Sequence, residues 1–181
     1  MDANDHRLDT PLNTPLWCLF VARHCMRLNG FCISEDFIAL ECDQKRYDLH
    51  NNFVFQGLTY SSEQRTLNLL WRRGRGDWVN PAEPAELRLS FARVYLFKTQ
   101  ERNSELPFTE DNCLDSIGFM WDDLAAEMQA FTSSEPKDGC THLIANFVSG
   151  LSIKIGAESA TLHIGAGARI EPSPRPLCGP A

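Results

Sequence analysis

The residues most suited to chemistry lie in and beside one loop that contains two glycines. They are Trp71, Arg72, Arg73, Arg75 and Trp78. Guanidinium groups bind phosphate or carboxylate through two parallel hydrogen bonds, an indole ring can stack on a planar group, and glycine lets a backbone approach closely. We therefore predict a binding surface here, for an acidic patch of another protein, a phosphate or the end of a nucleotide.

A plainer interpretation of the same loop stays open. Glu83 and Glu86 follow the arginines at short spacing and can pair with them. The loop would then be a solvated connection between two strands. Exposed ion pairs of this kind contribute only about 0–1 kcal/mol to stability, so they would not by themselves indicate a functional site.

A second polar cluster precedes the central strands, at Asp48, His50, Asn51 and Asn52. A histidine beside a carboxylate can act as a base near neutral pH, and asparagines can donate hydrogen bonds to an oxyanion. The same residues are also ordinary in turns, where they satisfy their own backbone. The chain contains no Gly-x-Ser-x-Gly, His-Glu-x-x-His or Gly-x-x-x-x-Gly-Lys motif. We predict no catalytic residue, and keep a small-ligand enzyme or sensor near His50 and residues 72–75 as the alternative function.

A run of acidic residues offers a second candidate surface. Its members are Glu110, Asp111, Asp115, Asp122, Asp123 and Glu127. A cluster of this kind is usually a solvated face, but complementary charge can also speed association with a basic partner. We select Asp122 and Asp123 as the residues of this second binding surface.

Metal binding is not indicated by the spacing of cysteine and histidine. The seven cysteines include no Cys-x-x-Cys pair, and the histidines occur singly. Cys18, Cys25 and Cys32 recur every seven residues, which on one helix would separate neighbours by about 10 Å, too far for one zinc ion. We expect free thiols, no metal and no cofactor.

Composition limits the class of partner. The 181 residues carry a formal net charge of −7, which disfavours a nucleic acid or an anionic membrane, since both require a basic face. No apolar run approaches the ~20 residues that span a bilayer. The acidic start lacks the positive region of a secretory signal, so we predict a cytoplasmic protein. An odd number of cysteines agrees with a reducing compartment.

The elements that position these residues are mainly strands. Residues 53–60, 65–71 and 86–91 predict three successive strands. In the second, Leu67, Leu69 and Trp71 alternate with Thr66, Asn68 and Arg72, and the third alternates in the same way, which predicts one face on a core. Residues 36–41 and 160–164 predict further strands, and residues 140–148 and 151–155 predict a hairpin across Ser149 and Gly150.

Helices are expected in three places. An apolar helix is possible over residues 15–28, a short one from Thr109 to Ile117, and one opened by Asp122 and Asp123 that carries Leu124, Met128 and Phe131 on one face. The predicted class is α+β: mainly antiparallel β, as a sandwich or a curved sheet, with one or two inserted helices. We divide the chain into a disordered tail with the apolar helix (1–30), one β-rich domain (31–165) and a Pro/Gly-rich disordered tail (166–181).

A pattern of residues resembles small uncharacterised bacterial β-rich proteins. It comprises residues 47–53, 58–60, 66–69, Trp71, residues 87–91 and Val94. Some acidic, strand-rich single domains of this kind are immunity proteins that neutralise a toxin, so the resemblance implies a protein-protein interaction. We therefore predict a non-enzymatic, cytoplasmic protein-binding domain of bacterial, immunity type, whose partner is another protein, conceivably a basic toxin.

Overall fold

The computed structural model describes residues 26–120 and 142–165 of the chain. The strands are, in chain order, β1 (Arg27–Asn29), β2 (Cys32–Ile33), β3 (Ala39–Cys42), β4 (Lys45–Asp48), β5 (Phe53–Ser61), β6 (Thr66–Arg73), β7 (Glu86–Ala92), β8 (Leu96–Gln100), β9 (Leu114–Met120), β10 (His142–Phe147), β11 (Ser152–Gly156) and β12 (Ser159–Gly165). One five-residue 3₁₀ helix, Phe108–Asn112, precedes β9.

The predicted α+β class is wrong for the described residues. Strands account for 56% of them, and none of their helices reaches seven residues. The helix expected from Thr109 to Ile117 is a 3₁₀ turn followed directly by β9. Its acidic start is compatible with either conformation, and the tertiary pairing of β9 with β10 decides between them. The helix expected after Asp122 lies outside the described residues.

The largest sheet has the strand order β1-β12-β7-β6-β5. All its pairs are antiparallel except β1 with β12. Its centre matches the predicted alternation, since Leu69 lies opposite Leu89 and Trp71 opposite Leu87. The intervening residues of β6 and β7 form the outer, partly exposed face of the sheet.

A second sheet, β8-β11-β10-β9, packs across the core from the first. The predicted hairpin is confirmed: β10 and β11 pair antiparallel, with Asn146 opposite Ser152. The Phe55 ring of β5 lies 4.6 Å, between centroids, from the Phe147 ring of β10. Tyr60 and Phe97 meet at 5.3 Å farther along. The two sheets therefore face each other as in a β-sandwich.

A small third sheet, β2-β3-β4, contributes to the same core. Leu40 and Leu49 are fully buried there, and the amide of Ile117 donates to the carbonyl of Phe37. Burying a leucine side chain stabilises the fold by about 1.5–3 kcal/mol, so this third sheet is a structural part of the domain.

The beginning of the described chain also belongs to the core. Arg27 and Leu28, the last residues of the segment 15–28 for which we expected an apolar helix, belong to β1 instead and pair with β12. Met26 is buried beside them. The remainder of the expected helix and the C-terminal tail lie outside the described residues, whose helices include none long and apolar enough to cross a membrane.

Candidate binding surface

The arginine-containing loop connects β6 to β7 and is fixed at its base. The amide of Arg73 donates to the carbonyl of Ala85 at 3.0 Å, which closes the loop where the two strands diverge. The amide of Gly74 donates to the carbonyl of Asn52 at 2.8 Å, which ties the loop to the turn before β5. A Cβ on Gly74 would lie only 3.3 Å from that carbonyl oxygen, so the close approach suits glycine.

Trp71 is part of the core and does not reach the loop surface. Its side chain is fully buried, and its ring lies 5.3 Å from the ring of Phe55. Successive residues of a strand point to opposite faces, so a tryptophan directed inward leaves Arg72 directed outward. We therefore leave Trp71 out of the binding surface.

Arg73 holds the loop in shape. Its guanidinium donates hydrogen bonds to the carbonyl oxygens of Pro81 and of Glu83, the latter at 2.9 Å. Its hydrogen-bond donors therefore bind backbone carbonyls at the opposite end of the same loop. In this structure Arg73 stabilises the loop and does not face a ligand. The predicted pairing with Glu83 is present in an altered form, because the backbone of Glu83 rather than its carboxylate accepts the bond.

Arg72 and Arg75 direct their charge to solvent. The side chain of Arg72 is 63% exposed, and its Nε lies 3.9 Å from the carboxylate of Glu86. At that distance and exposure, the ion pair contributes about 0–1 kcal/mol to the free energy of unfolding. The guanidinium group of Arg72 keeps donors that a ligand can use. Arg75 is exposed and has no hydrogen-bond or ion-pair partner among the described residues.

Trp78 lies at the surface but is held in place. Its side chain is 76% exposed, while its indole Nε1 donates to the carbonyl of Asn51 at 3.1 Å. The ring lies directly against Gly76, where an added Cβ would come within 2.5 Å of it. A side chain at position 76 would therefore displace the ring, and the indole, bound at Nε1 by Asn51, is otherwise open to solvent.

The three arginines of the loop border a pocket of about 760 Å³. Its described lining consists of Val54, Gln56, Arg72, Arg73, Gly74, Arg75, Gly76, Val79, Pro81 and Ala85. That lining contains three arginines, several apolar side chains and no carboxylate. The site can therefore receive an anionic group together with a small apolar one, and it holds no group in position for covalent chemistry.

Sequence reasoning missed the part of the pocket contributed by β5. Val54 lies directly opposite Arg72 in the β5-β6 pair, and Gln56 follows it on the outer face. Their outward direction could be read from the alternation with Phe53 and Phe55. Their closeness to the arginines depended on the β5-β6 register, which the sequence alone leaves open.

The predicted cluster around His50 meets the loop mainly through its backbone, with one side-chain contact from Asn52 Nδ2, which donates to the carboxylate of Glu83 at 3.4 Å. Asn51 and Asn52 bind Trp78 and Gly74 through their carbonyl oxygens. The His50 ring lies elsewhere: its Nδ1 donates to the carbonyl of Leu114 at 2.5 Å. Because a carbonyl can only accept, that nitrogen carries a hydrogen and is unable to take one from a neighbour.

Cys113, beside His50, is poorly suited to act as a nucleophile. Its Sγ lies 3.9 Å from Nδ1 of His50. Burial first, and then the charges of Glu110 and Asp115, raise the pKa of the thiol above its ordinary value. The reactive thiolate is therefore scarce at neutral pH, and the geometry does not support a cysteine–histidine pair for catalysis.

The acidic candidate surface is described only in part. Asp122 and Asp123 lie outside the described residues. Asp111 is bound by Arg102 at 2.8 Å, and hydrogen bonds first from Arg102 and then from Ser149 lower the pKa of its carboxyl group. The carboxylate of Asp111 is thus engaged by residues of its own domain.

Comparisons with known proteins give no match. We found no matching protein-family model, curated protein or solved structure. Residues 26–120 and 142–165 also contain no group of three or more His, Cys, Asp or Glu side chains arranged to hold a metal ion.

Proposed function

We propose that this protein is a non-enzymatic binding domain that recognises an acidic segment of a partner protein through Arg72, Arg75 and Trp78. The observation that carries the proposal is the pairing of exposed guanidinium groups with a pocket that is lined by no described carboxylate. Arginine and tryptophan are enriched where proteins bind one another, because each combines a polar head with a large apolar area.

A protein segment fits this surface better than a nucleic acid does. Val54, Val79 and Pro81 give the pocket an apolar wall, which suits a peptide side chain. The net charge of −7 repels a long polyanion, whereas a short acidic segment is attracted by the nearby arginines. At ionic strengths near 0.1 M, charges beyond about 10 Å are largely screened, so the local arginines dominate.

A toxin-immunity role stays a prediction that rests on the resemblance stated above. The proposed surface is compatible with it, since a toxin with an acidic segment could bind here. A basic partner would require the surface at Asp122 and Asp123 instead, for which the described residues offer no support. The enzyme or sensor alternative has the weaker support, because the His50 ring bonds to Leu114 and not to the loop.

The test uses a fluorescein-labelled octapeptide of alternating glutamate and valine, followed by fluorescence polarisation with the full chain. We expect binding that weakens as NaCl rises from 50 to 300 mM, because screening reduces the attraction. The double variant Arg72→Glu/Arg75→Glu should lose at least about tenfold in affinity, equivalent to about 1.4 kcal/mol.

The matched control is Arg27→Glu/Lys45→Glu, which changes net charge by the same amount at exposed positions of β1 and β4. It should bind the peptide within about twofold of the unaltered chain, since only local charge matters in this account. Equal losses in the two double variants would show that net charge, and not this loop, governs binding.

A further inference from the structure

We propose that Arg88 is a second recognition residue of this surface, and that the partner's segment carries two acidic side chains placed two residues apart. This inference rests on the proposed function and narrows its partner: one carboxylate binds at Arg72 and Arg75, and the next binds Arg88 on the outer face of the largest sheet. A guanidinium group that holds a carboxylate by two hydrogen bonds fixes the position of the ligand as well as its charge.

Arg88 carries a charge that the described residues leave without an ion-pair partner. Its side chain is partly exposed, and its Nε is buried without a hydrogen-bond partner. Within the described ranges, no carboxylate lies at ion-pair distance from its guanidinium group. A partly desolvated charged group without a partner is unfavourable, so a carboxylate brought by a ligand would be favoured there.

The register of β6 and β7 places Arg88 close to the arginine-lined pocket. Arg88 lies opposite Leu70, and Arg72 is two residues beyond Leu70 on the same strand. Both arginines occupy outward positions of their alternating strands. They are therefore diagonal neighbours, about 7–8 Å apart. Alternate residues of an extended peptide are separated by about 6.4–6.8 Å, so two carboxylates at that spacing can reach both guanidinium groups.

A depression in the outer face continues from the pocket toward Arg88. The register of β5 with β6 shifts between Phe55 and Gly57, which is a β-bulge, and Gly57 lies opposite Leu70. A Cβ on Gly57 would meet no atom within 4 Å, so the absence of a side chain leaves the face open beside Leu70. A cavity of about 200 Å³ includes both residues in its lining and shares Gln56 with the larger pocket.

The groups around Arg88 leave its charge available to a ligand. Glu86, two residues earlier on β7, has a side chain that is 14% exposed, and its ion pair is with Arg72. His163 lies opposite Arg88, and burial first, then the charge of Arg88, lowers its pKa, so His163 is mostly neutral at pH 7. Farther along β7, the hydroxyl of Ser90 donates to an amide oxygen at 2.6 Å. Recognition by charge therefore ends at Arg88, and two acidic groups are sufficient.

The test uses two fluorescein-labelled octapeptides of equal composition and charge, measured by fluorescence polarisation with the full chain. The first, Gln-Val-Glu-Val-Glu-Val-Gln-Val, places its glutamates two residues apart. The second, Glu-Val-Gln-Val-Gln-Val-Glu-Val, places them six residues apart, about 20 Å in an extended chain. The unaltered protein should bind the first peptide at least about fivefold more tightly than the second.

Two matched variants assign this preference to a residue. Arg88→Gln should reduce the ratio of the two affinities to within about twofold, because the second carboxylate loses its partner. Arg27→Gln removes the same charge at an exposed position of β1, in the same sheet, and should keep the ratio of the unaltered protein. Urea denaturation of both variants verifies that each is folded when its affinities are measured.

Three outcomes separate the inference from the function. A preference for the closer spacing that Arg88→Gln abolishes and Arg27→Gln keeps supports the role of Arg88. Equal affinity of the unaltered protein for the two peptides overturns that role and leaves an acidic-segment surface, as does a preference that survives in Arg88→Gln or is lost equally in both variants. Absence of binding by these peptides and by the glutamate–valine octapeptide overturns the proposed function and the inference together.

Discussion

Three arginines close together in sequence have different roles because of where their side chains point. Arg73 bonds to two carbonyl groups of its own loop, whereas Arg72 and Arg75 extend into solvent. Composition predicted a surface rich in guanidinium groups, but it could not distinguish an arginine that shapes the loop from one that meets a ligand. The hydrogen bonds make that distinction.

This difference predicts unequal effects of alanine substitution. Arg73→Ala removes the donors for the Pro81 and Glu83 carbonyls and should lower the free energy of unfolding by about 1–3 kcal/mol, measured by urea denaturation. Arg75→Ala, the matched control, should change it by less than about 0.5 kcal/mol. Similar values for both variants would contradict the structural role assigned to Arg73.

A buried histidine makes stability depend on pH. His142 is 2% exposed on β10, and burial first, then the charge of Lys154, lowers its pKa from 6.5 to about 4. Between pH 6.5 and 4 the unfolded chain therefore binds a proton that the folded chain does not. The stability contribution is complete above pH 6.5 and is lost as the pH falls toward 4.

The variant His142→Phe should reduce this dependence. It keeps an aromatic ring beside Tyr95 and removes the titrating group. We expect urea midpoints measured from pH 7 to pH 4.5 to fall less steeply than in the unaltered chain. His163→Gln, at an exposed position of β12, serves as the control and should retain most of the slope. If the urea midpoint of His142→Phe fell with pH as steeply as that of the unaltered chain, His142 would not be the source of the pH dependence.

At the scale of elements, strands with strict alternation were predictable and connections were not. Leu67, Leu69 and Trp71 recur with a period of two among Thr66, Asn68 and Arg72, and this pattern located β6. The start of β9 was misread because acidic residues before an apolar run are common at helix ends as well. The β10-β11 hairpin was recognisable from Ser149 and Gly150, and Gly150 does adopt a φ of +83°.

The β-bulge in β5 is an element that the sequence suggests only by a glycine within a strand. Gly57 has a φ of +130°, so Gly57→Ala should destabilise the fold by about 1–3 kcal/mol, measured by urea denaturation. Thr59→Ala in the same strand is the control. Because Thr59 is exposed, this substitution should lower the free energy of unfolding by about 0.5 kcal/mol or less. If Gly57→Ala were the milder of the two, the bulge would not require glycine.

The chain combines a net charge of −7 with a cationic pocket among its described residues. The pocket joins the outer face of β5, the end of β6 and the loop before β7. Val54 lies near the start of β5 and Arg72 near the end of β6, so most of the β5-β6 hairpin separates them in sequence. The register of the two strands is what places them side by side. The central strands could therefore be predicted from sequence, whereas the α+β class and its helix from Thr109 to Ile117 were wrong, and the site depended on which strand ends become neighbours.

The most direct test of this account is a charge exchange between protein and peptide. We would measure the affinities of the unaltered chain and of Arg72→Glu/Arg75→Glu for the glutamate–valine octapeptide and for a lysine–valine octapeptide. The account predicts inversion: the double variant loses affinity for the acidic peptide and gains it for the basic one, each by about tenfold. If both proteins ranked the two peptides in the same order, the loop at Arg72 and Arg75 would not be the recognition surface.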